Sequence, residues 1–276
     1  MKCSIVVTRY SESDKLVKDC LGALSKQKNI TCEVNFLDQR DSKEIYAFCK
    51  EMSNKNIKIN YIKIPAKTLS YARNYGIKIS KASIILFTDS DAIVDENWAK
   101  EIFKTFSIDK KIAIVGGTSK PKWPGKLKWY HKSNIVKELY SLISLSDEIT
   151  PVEKVVGVNF AINKDLLGDQ ALFNENLGRK PGSLLGGEET DLCSKVGEKG
   201  FLVYYNPKAI IHHQIQEERM SLRWVLKRMY YGGVSRAARG GKPKTFHKER
   251  NIYDRIILPI LLVPYIIGYI MEKLRK

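Results

Sequence analysis

The sequence has few cysteines, and their spacing argues against the two common structural uses of this residue. The chain has five, an odd number, and they are widely separated: Cys3, Cys20, Cys32, Cys49 and Cys193. None forms the Cys-x-x-Cys pair that is typical of structural zinc sites, and small disulfide-rich scaffolds use a denser set. We therefore predict no zinc site, no disulfide framework and a reduced, cytoplasmic environment.

The sequence also lacks a secretory signal, internal repeats and low-complexity segments. Met1-Lys2 leads directly into Cys3–Thr8, which is too short and too strand-like for the apolar core of a signal peptide. The 276 residues are 43% hydrophobic and 28% charged, which is ordinary for a globular protein. A chain of this length can form one large α/β domain without disulfides or metals to stabilise it.

Acidic residues are scarce near the carboxyl end. The formal net charge is +17, and residues 217–276 hold 14 Lys and Arg against 5 Asp and Glu. A basic tail is typical of proteins that bind nucleic acid or an anionic membrane surface. No RNP-like, helix-turn-helix or zinc-finger pattern is present, so no nucleic-acid partner is expected. The aromatic residues within the basic stretch Arg219–Arg228 favour lipid headgroups or a diphosphate-linked lipid, and a solvated basic face is the alternative.

The same tail contains an uncharged segment. Ile256–Met271 has sixteen residues without a charge, but Pro259, Pro264 and Gly268 interrupt it. A spanning helix needs about 20 apolar residues. Four alternatives remain open: an interfacial segment, a re-entrant segment, one short kinked span, or a buried C-terminal helix. The basic residues on both sides favour an anionic membrane surface, and we expect a peripheral or C-terminally anchored protein on the cytoplasmic face of the membrane.

Strand and helix patterns alternate through the first half of the chain. Predicted strands cover Cys3–Thr8, Val34–Asp38, Ile57–Ile64, Ser83–Thr88 and Ile112–Val115. Predicted helices cover Ser11–Gln27, Ser42–Met52, Leu69–Ile79 and Glu96–Phe106. This alternation predicts an α/β fold with a parallel sheet and helices on both faces. Ligands bind such sheets at the carboxyl ends of the strands.

The second half is less regular. Its pattern predicts an amphipathic helix, a strand, a glycine-rich loop, a helix and two further strands: Leu127–Leu145, Val155–Ile162, Leu177–Gly187, Glu188–Gly197, Phe201–Tyr205 and Ala209–Ile215.

Two acids directly follow the buried strand Ser83–Thr88. Asp89 and Asp91 are separated only by Ser90, in the stretch LFTDSDAIVDENW. Residues i and i+2 of a strand point the same way, so the two carboxylates repel each other unless a cation lies beside them. A hard divalent cation, Mn²⁺ or Mg²⁺, that also holds substrate phosphates is the natural ligand. The alternative is that one Asp caps the next helix while the other faces water, and the short motif alone does not decide.

Four more stretches accompany this motif. They are Val6–Glu12, Phe36–Ser42, Ala72–Gly76 and Gly186–Leu192. In this order and spacing the five motifs resemble those of family 2 glycosyltransferases of the GT-A fold, from residue 3 to about residue 235. The resemblance implies a mainly parallel, Rossmann-like sheet flanked by helices, followed by a membrane-associating helical tail. It divides the chain into a nucleotide-sugar half (1–118), an acceptor half of the same domain (119–216) and the tail (217–276).

The resemblance also implies a reaction. The enzyme would move a sugar with inversion from a nucleotide diphosphate donor, most commonly a UDP-sugar, to a lipid-linked or glycan acceptor. The residues expected at the donor are Thr8, Tyr10, Glu12, Asp38, Arg73, Asp89, Ser90 and Asn159. Two stretches depart from the family pattern: Tyr10-Ser11 stands where Tyr-Asn is usual, and Asp38-Gln39-Arg40-Asp41-Ser42 where Asp-Asp-Gly-Ser is usual.

The catalytic and metal-binding residues are likewise carried over. An inverting transfer needs a general base for the acceptor hydroxyl, and Glu189 is expected in this role, with Asp191 as the alternative and Glu188 beside them. Asp91 is expected to hold Mn²⁺ or Mg²⁺, assisted by Asp89 and His213. The alternative for the three acids near Glu189 is that they only favour a helix N-terminus.

Other functions remain open from the residues alone. A sugar-phosphate nucleotidyltransferase shares the alternating architecture, but the glycine-rich loop expected after its first strand is missing at Thr8–Ser13. A non-catalytic, basic nucleic-acid-binding protein and an inactive transferase are the remaining alternatives.

Overall fold

The computed structural model describes residues 1–243 and 251–275. The first part of the chain alternates strands and helices as predicted. Its elements are β1 (Lys2–Arg9), α1 (Asp14–Leu24), β2 (Thr31–Asp38), α2 (Lys43–Met52), β3 (Ile57–Lys63), α3 (Leu69–Ile79), β4 (Ile84–Asp89), β5 (Ala92–Val94) and α4 (Trp98–Phe106). Strands β3, β2, β1 and β4 lie side by side in this order, and all three pairings are parallel.

The second part extends the same sheet. It contains β6 (Ile112–Lys122), α5 (Asn134–Leu139), β7 (Thr150–Pro151), β8 (Asn159–Asn163), α6 (Lys164–Leu167), α7 (Glu188–Glu198), β9 (Leu202–Gln214), α8 (Leu222–Ala238) and α9 (Ile252–Leu274). The sheet continues through β8, which runs antiparallel to β4 and β6, whereas β6 and β9 pair parallel. In the described residues the sheet has nine strands, ordered β3-β2-β1-β4-β8-β6-β9-β5, with β7 on β9. The predicted α/β architecture is confirmed, with a mixed sheet. Strand β6 runs through the predicted boundary at residue 118.

Two hydrophobic layers cover the sheet, which explains the apolar runs in the central strands. Ile5, Val6 and Val7 of β1 are all fully buried, because adjacent side chains point to opposite, covered faces. Helices α1, α2 and α4 pack on one face. Helices α3, α6 and α7 pack on the other. The strand register then brings the ends of β1, β2 and β4 to one edge, where Thr8 is opposite Asp89 and Arg9 is opposite Asp38.

The tail forms a third cluster beside the sheet. Helices α8 and α9 pack with α5 and a 3₁₀ helix at Trp129–Lys132, around Tyr130 and Tyr140. Asp254, at the start of α9, is buried and accepts hydrogen bonds from Ser133 Oγ (2.5 Å) and from the backbone N–H of Ile135 (3.1 Å). The first turn of α9 is therefore tied to the domain by a buried carboxylate.

Helix α9 is longer than the uncharged segment seen in the sequence. It has 23 residues and continues through Pro259 and Pro264. Within the described residues it is the one helix long and apolar enough to cross a membrane. Its two faces differ, because Ile257, Leu261 and Tyr265 are buried against the domain while a stripe on the other side is exposed. This stripe comprises Ile256, Ile260, Val263, Ile266, Ile267, Ile270, Met271 and Leu274. The alternative of a buried core helix is therefore wrong.

Two glycines bring α8 and α9 into close contact. A Cβ atom on Gly233 would lie 2.0 Å from the carbonyl oxygen of Tyr265, and one on Gly268 would lie 2.2 Å from that of Tyr230. Such distances are impossible for real atoms, so these positions accept only glycine unless the helices separate.

Several predicted boundaries in the second half differ from the structure. The amphipathic helix predicted at Leu127–Leu145 is only the 3₁₀ helix and α5, because Ser133 caps a new helix and Ser141 has a positive φ of 59°. The two predicted strands Phe201–Tyr205 and Ala209–Ile215 are one strand, β9, whose pairing with β6 shifts register between Gly117 and Thr118. Strand β8 begins only at Asn159.

The prediction that the cysteines form no disulfide is wrong for one pair. Cys3 and Cys32 are register partners in β1 and β2, with Cα atoms 4.9 Å apart, and they form a disulfide. This is a usual separation for bonded cysteines. The other three cysteines are free and buried. The pairing follows from strand register, which cysteine spacing along the chain does not reveal.

Candidate active site

A cleft of about 260 Å³ opens at the carboxyl ends of β1 and β4. One wall consists of the end of β1 and the two acids after β4. The opposite wall consists of the glycine-rich loop before α7 and the start of α8. The described residues that line it are Thr8, Arg9, Tyr10, Ser11, Glu12, Gln39, Lys67, Leu69, Asp89, Asp91, Arg179, Lys180, Gly182, Ser183, Leu184, Arg219, Trp224 and Lys227.

Asp91 lies at the floor of this cleft and is almost fully buried. One carboxylate oxygen lies 3.3 Å from His213 Nε2, and the other lies 3.3 Å from Arg219 Nη1. Burial favours the neutral acid, but His213 and Arg219 outweigh it and hold the pKa of Asp91 well below its ordinary value. Asp91 is therefore ionised at neutral pH.

His213 places its Nε2 next to Asp91. It lies on β9, beside Ala92 of β5, and it is buried. Its Nδ1 lies 2.8 Å from the carbonyl oxygen of Tyr140, and since a carbonyl only accepts, Nδ1 carries the hydrogen. Nε2 lies 3.3 Å from the nearest oxygen of Asp91, and this contact is favourable only with a proton on Nε2 or a cation between the two atoms. That oxygen is buried and accepts no hydrogen bond from any described residue.

This arrangement fits a divalent cation. Two facing acceptors repel each other unless a proton or a metal lies between them. A backbone carbonyl that fixes the other ring nitrogen is the usual support for a metal-binding histidine. A carboxylate with one imidazole suits Mn²⁺ better than Mg²⁺, which prefers oxygen ligands. Within the described residues no group of three metal-ligating side chains occurs. The protein would therefore supply only some of the ligands of a bound cation.

Asp89 belongs to a different network, centred on Arg73. Arg73 of α3 is buried and contacts Asp89 Oδ1 (3.3 Å), Glu188 Oε1 (3.0 Å) and the carbonyl oxygen of Gly157 (2.8 Å). Burial raises the pKa of Asp89, the charge of Asp91 adds to the shift, and Arg73 opposes it. One guanidinium therefore connects the donor-side acid with the acid pair of α7.

The acid pair begins α7, directly after a glycine turn. Gly187 has a φ of 95°, the left-handed region, and a Cβ atom there would lie 2.7 Å from Arg239 Nε. Burial and the neighbouring Glu189 raise the pKa of Glu188 to about 7, against the pull of Arg73. Glu188 is thus a buried acid that exchanges its proton near neutral pH.

Glu189 and Asp191 point to different surroundings. Glu189 Oε1 accepts a hydrogen bond from the backbone N–H of Gly157 (3.0 Å), while its Oε2 is buried and accepts none from the described residues. Asp191 Oδ2 lies 2.7 Å from Lys195 Nζ, one helical turn further on. Among the described residues that line the cleft there is no acid of α7, and Arg73 lies between the cleft and the acid pair.

The other predicted donor residues close the loop after β1. Glu12 accepts hydrogen bonds from the backbone N–H groups of Tyr10 (2.9 Å) and Ser11 (3.1 Å) and from the hydroxyl of Ser90 (3.2 Å). Thr8 lines the cleft, and Tyr10 extends from it with an exposed ring. Ser90 is buried and connects this loop to the two acids.

Asp38 is fully engaged by the protein. Its oxygens accept hydrogen bonds from Arg9 Nη1 (3.3 Å), Tyr61 Oη (2.9 Å) and the backbone N–H groups of Arg40 (2.9 Å) and Ser42 (3.3 Å). The side chain has no exposed surface. Its contact with a nucleobase stays a prediction, and it would require one of these bonds to open.

Asn159, like Asp38, is fully engaged by the protein. Its side-chain NH₂ donates to the carbonyl oxygens of Thr118 and Ala209, both at 2.8 Å, and its Oδ1 accepts from Trp98 Nε1 at 2.7 Å. The residue has no exposed surface. The amide thus joins β6, β9 and α4, and its contact with the donor sugar stays a prediction that would require one of these bonds to open.

Sequence reasoning missed the basic side of the cleft. Arg179 stands in the glycine-rich loop, and no hydrogen bond or ion pair joins its side chain to the described residues, although its charge acts on Asp89, Asp91 and Glu188. Arg219 pairs with Asp91. Two signals in the sequence pointed to this side. Arg179 directly follows Gly178 in the predicted glycine-rich loop, and Arg219 begins the basic stretch after β9.

Comparisons with known proteins identify the class. Residues 4–169 match the family described as Glycosyl transferase family 2. The chain belongs to this family and is a glycosyltransferase, rather than a nucleotidyltransferase or a non-catalytic nucleic-acid-binding protein. It is 21% identical over 270 residues to a glucosyl-dolichyl phosphate glucuronosyltransferase of Haloferax volcanii, covering 95% of this chain and 85% of that protein.

Solved structures support the GT-A fold. The chain is similar to a mannosyltransferase from Pyrobaculum calidifontis in complex with GDP-Man and Mn²⁺, with a TM-score of 0.63, 13% identity and coverage of 96% of this chain and 73% of that one. It is also similar to GalNAc-T7 with UDP, GalNAc and Mn²⁺, with a TM-score of 0.61, 17% identity and coverage of 87% of this chain. The chain spans half of that second protein. At these identities the likeness shows the fold alone.

Proposed function

We propose that the protein transfers a sugar with inversion from a nucleotide diphosphate donor, with a UDP-sugar favoured, to a lipid-linked or glycan acceptor. The observation that carries this proposal is the contact of Arg73 with both Asp89 and Glu188. This buried guanidinium joins the donor-side acid Asp89 to Glu188, one member of the acid pair to which the proposal assigns the proton transfer. Family membership and the named substrates of the similar proteins support the reaction class.

Glu189 is the proposed general base. Its Oε1 is oriented by the backbone N–H of Gly157, and its Oε2 is left without a hydrogen bond from the described residues. A base needs one such lone pair to receive the proton of the acceptor hydroxyl. Glu188 Oε2 and Asp191 Oδ2 are also without a hydrogen bond from the described residues, so what distinguishes Glu189 is its lack of an ion pair among them, since Glu188 pairs with Arg73 and Asp191 with Lys195. Because Arg73 lies between the acid pair and the cleft, acceptor binding would be accompanied by a shift of the Arg73 side chain.

Asp91 and His213 are proposed to hold Mn²⁺ or Mg²⁺, with Asp89 assisting. When bound, the cation would balance the negative charge that develops on the departing diphosphate. Arg219 already neutralises one oxygen of Asp91, and Arg179 adds a second positive charge on the opposite wall. Thr8, Tyr10 and Glu12 would shape the nucleoside side of the cleft.

The protein is proposed to rest on the cytoplasmic face of the membrane through the exposed stripe of α9. This helix is tied to the domain at Asp254 and packed closely on α8 at Gly233 and Gly268. It could enter the bilayer as a spanning segment only if those contacts broke. An interfacial position buries the apolar stripe in lipid and keeps them.

The test is metal-dependent release of a nucleoside diphosphate by the purified chain from a panel of UDP-, GDP- and dTDP-sugars. We expect turnover of at least one donor with Mn²⁺ or Mg²⁺ and none with a chelator. Asp91→Asn should lower the rate by about a hundredfold or more, because a metal ligand is lost. The control Asp95→Asn, on an exposed acid that contacts only His212 among the ion pairs of the described chain, should keep it. Absence of turnover with every donor, together with no metal-dependent binding of UDP or GDP, would exclude the proposal.

A further inference from the structure

The wall of the cleft opposite the acids carries positive charge that the described chain does not neutralise. Arg179, Lys180 and Lys227 all line the cleft. No hydrogen bond or ion pair connects their side chains to any residue that the structure describes, and no acid lies among the cleft residues of this wall. We call these three residues the basic wall.

The fold holds the basic wall in place from the α3 side. Leu177 O accepts a hydrogen bond from Ser70 Oγ (2.8 Å), and Arg179 O accepts one from the backbone N–H of Leu69 (2.9 Å). Between them Gly178 has a φ of 92°, and a Cβ atom there would lie 2.7 Å from Ser70 Oγ. The backbone under Arg179 and Lys180 is therefore pinned to the start of α3.

Helix α8 holds the other end of the loop with one stripe of polar residues. Arg228 Nη1 donates to Leu184 O (2.7 Å), Tyr231 Oη to Gly182 O (3.4 Å), and Ser235 Oγ accepts from the backbone N–H of Gly186 (3.0 Å). These residues recur at helical spacing, so they share one face. Lys227 is adjacent to this face, and the contacts bring it to the same cleft as Lys180.

Holding these cations together is unfavourable without an anion. Burial lowers the pKa of Arg228 to about 10, and repulsion from Arg179 and Arg219 adds to the effect, while Glu189 and Glu188 oppose it. Arg228 Nε is buried and donates to no described residue. A fold that fixes several like charges around one cleft provides a ready site for a phosphate.

The donor does not account for this charge. Each of the two esterified phosphates of a nucleotide sugar carries one negative charge, and a divalent cation balances the two. Arg219 is already paired with Asp91, and even with Arg179 assigned to the diphosphate, Lys180 and Lys227 of the basic wall are left over. Leu69, Leu184 and Trp224 line the same cleft beside it and offer an apolar surface. A ligand that satisfies both features has a phosphate next to a hydrocarbon chain.

We propose that Lys180 and Lys227 bind the phosphate of a prenyl phosphate-linked acceptor, with Arg179 between that phosphate and the donor diphosphate. The proposal rests on the proposed function and adds the chemical class of the acceptor and the residues that recognise it. It involves binding only, so it can be tested apart from turnover.

The test measures binding of farnesyl phosphate to the purified chain by titration calorimetry, with UDP and Mn²⁺ at saturating concentration. We expect binding that farnesol does not reproduce. The double variant Lys180→Ala/Lys227→Ala should weaken it by about tenfold or more, because two charge-assisted contacts are lost. The matched control is Arg223→Ala, an exposed cation of the same helix that does not line the cleft; it should bind like the parent chain. Unchanged UDP affinity in the double variant verifies its fold.

Five results would overturn the proposal. Displacement of farnesyl phosphate by UDP and Mn²⁺ would assign the basic wall to the donor. Equal binding of farnesol would show that the phosphate is not recognised. An equal loss in Arg223→Ala would indicate general attraction to the basic surface. The double variant could also lose binding to phosphatidylglycerol vesicles to the same extent whether or not prenyl phosphate is added. That result would assign the basic wall to bulk lipid headgroups. Donor turnover without farnesyl phosphate binding would reject this proposal and leave the proposed function intact.

Discussion

Two regions of the molecule differ in whether their charged and apolar groups have partners within the chain. One is the donor side, and the other is formed by the glycine-rich loop and the C-terminal helices. On the donor side Arg9 is buried between Asp14 and Asp38, and Arg73 is buried between Asp89 and Glu188. On the other side Arg179, Lys180 and Lys227 have no described partner, and α9 leaves an apolar stripe uncovered. The buried arginines of the first region are paired with acids of the same chain. The second has the properties of a surface that other molecules complete.

The largest expected effect is the loss of sugar transfer when the proposed general base is removed. Glu189→Gln removes the proposed base but keeps a side-chain oxygen for the N–H of Gly157. Transfer to the acceptor should fall by about 10²–10⁴-fold while UDP affinity stays unchanged. Transfer rates and calorimetric binding of UDP measure the two effects. The control is Glu198→Gln at the far end of α7. Surviving transfer would show that the base is another residue.

A smaller effect is expected where the C-terminal region meets lipid. Ile260→Glu/Ile267→Glu puts two charges on the exposed stripe of α9. Each should weaken binding to anionic vesicles by about tenfold, because an apolar contact with lipid is replaced by a charge. Vesicle sedimentation measures this. Ile108→Glu makes the same change at an exposed position outside α9 and should bind as the parent does. If both variants bind equally well, the anchor lies elsewhere.

The contact between α8 and α9 can be weakened without adding charge. Gly233→Ala places a Cβ atom against the backbone of Tyr265 and should lower the free energy of unfolding by about 1–3 kcal/mol. Gly22→Ala in α1 is the matched control, since a Cβ atom there meets nothing within 4 Å. That change should raise stability by about 0.5–1 kcal/mol. Thermal or denaturant unfolding measures both, and equal effects would show that the helices are not closely packed.

The smallest effect concerns the pH dependence of stability. The pKa of Glu188 is raised to about 7 in the folded protein, above its ordinary value of 4.5. The folded state then binds a proton that the unfolded state has released, so this group's stabilisation is full below pH 4.5 and is lost as the pH rises through about 7. Melting temperatures of the parent should fall over this window more steeply than those of Glu188→Gln. Parallel slopes would contradict the assignment.

The sequence predicted the parts of the site that follow from local rules. Strand alternation and strand ends were enough to bring Thr8 and Asp89 to one edge, and His213 was expected on the strand face that reaches Asp91. Three features depend on contacts distant in sequence. The Cys3–Cys32 disulfide needs strand register, the core position of Asn159 needs the approach of Trp98, and the basic wall needs a loop clamped between α3 and α8.

The side chain of Arg73 has a consequence for timing. The guanidinium lies between two carboxylates, so the electrostatic potential at each depends on the charge that the other carries. A cation that binds at Asp89 would cancel part of that negative charge, and Glu188 would then give up its proton more readily. Under the proposed function, this gives the two substrates an electrostatic reason to bind in a fixed order, with the metal-bound donor first.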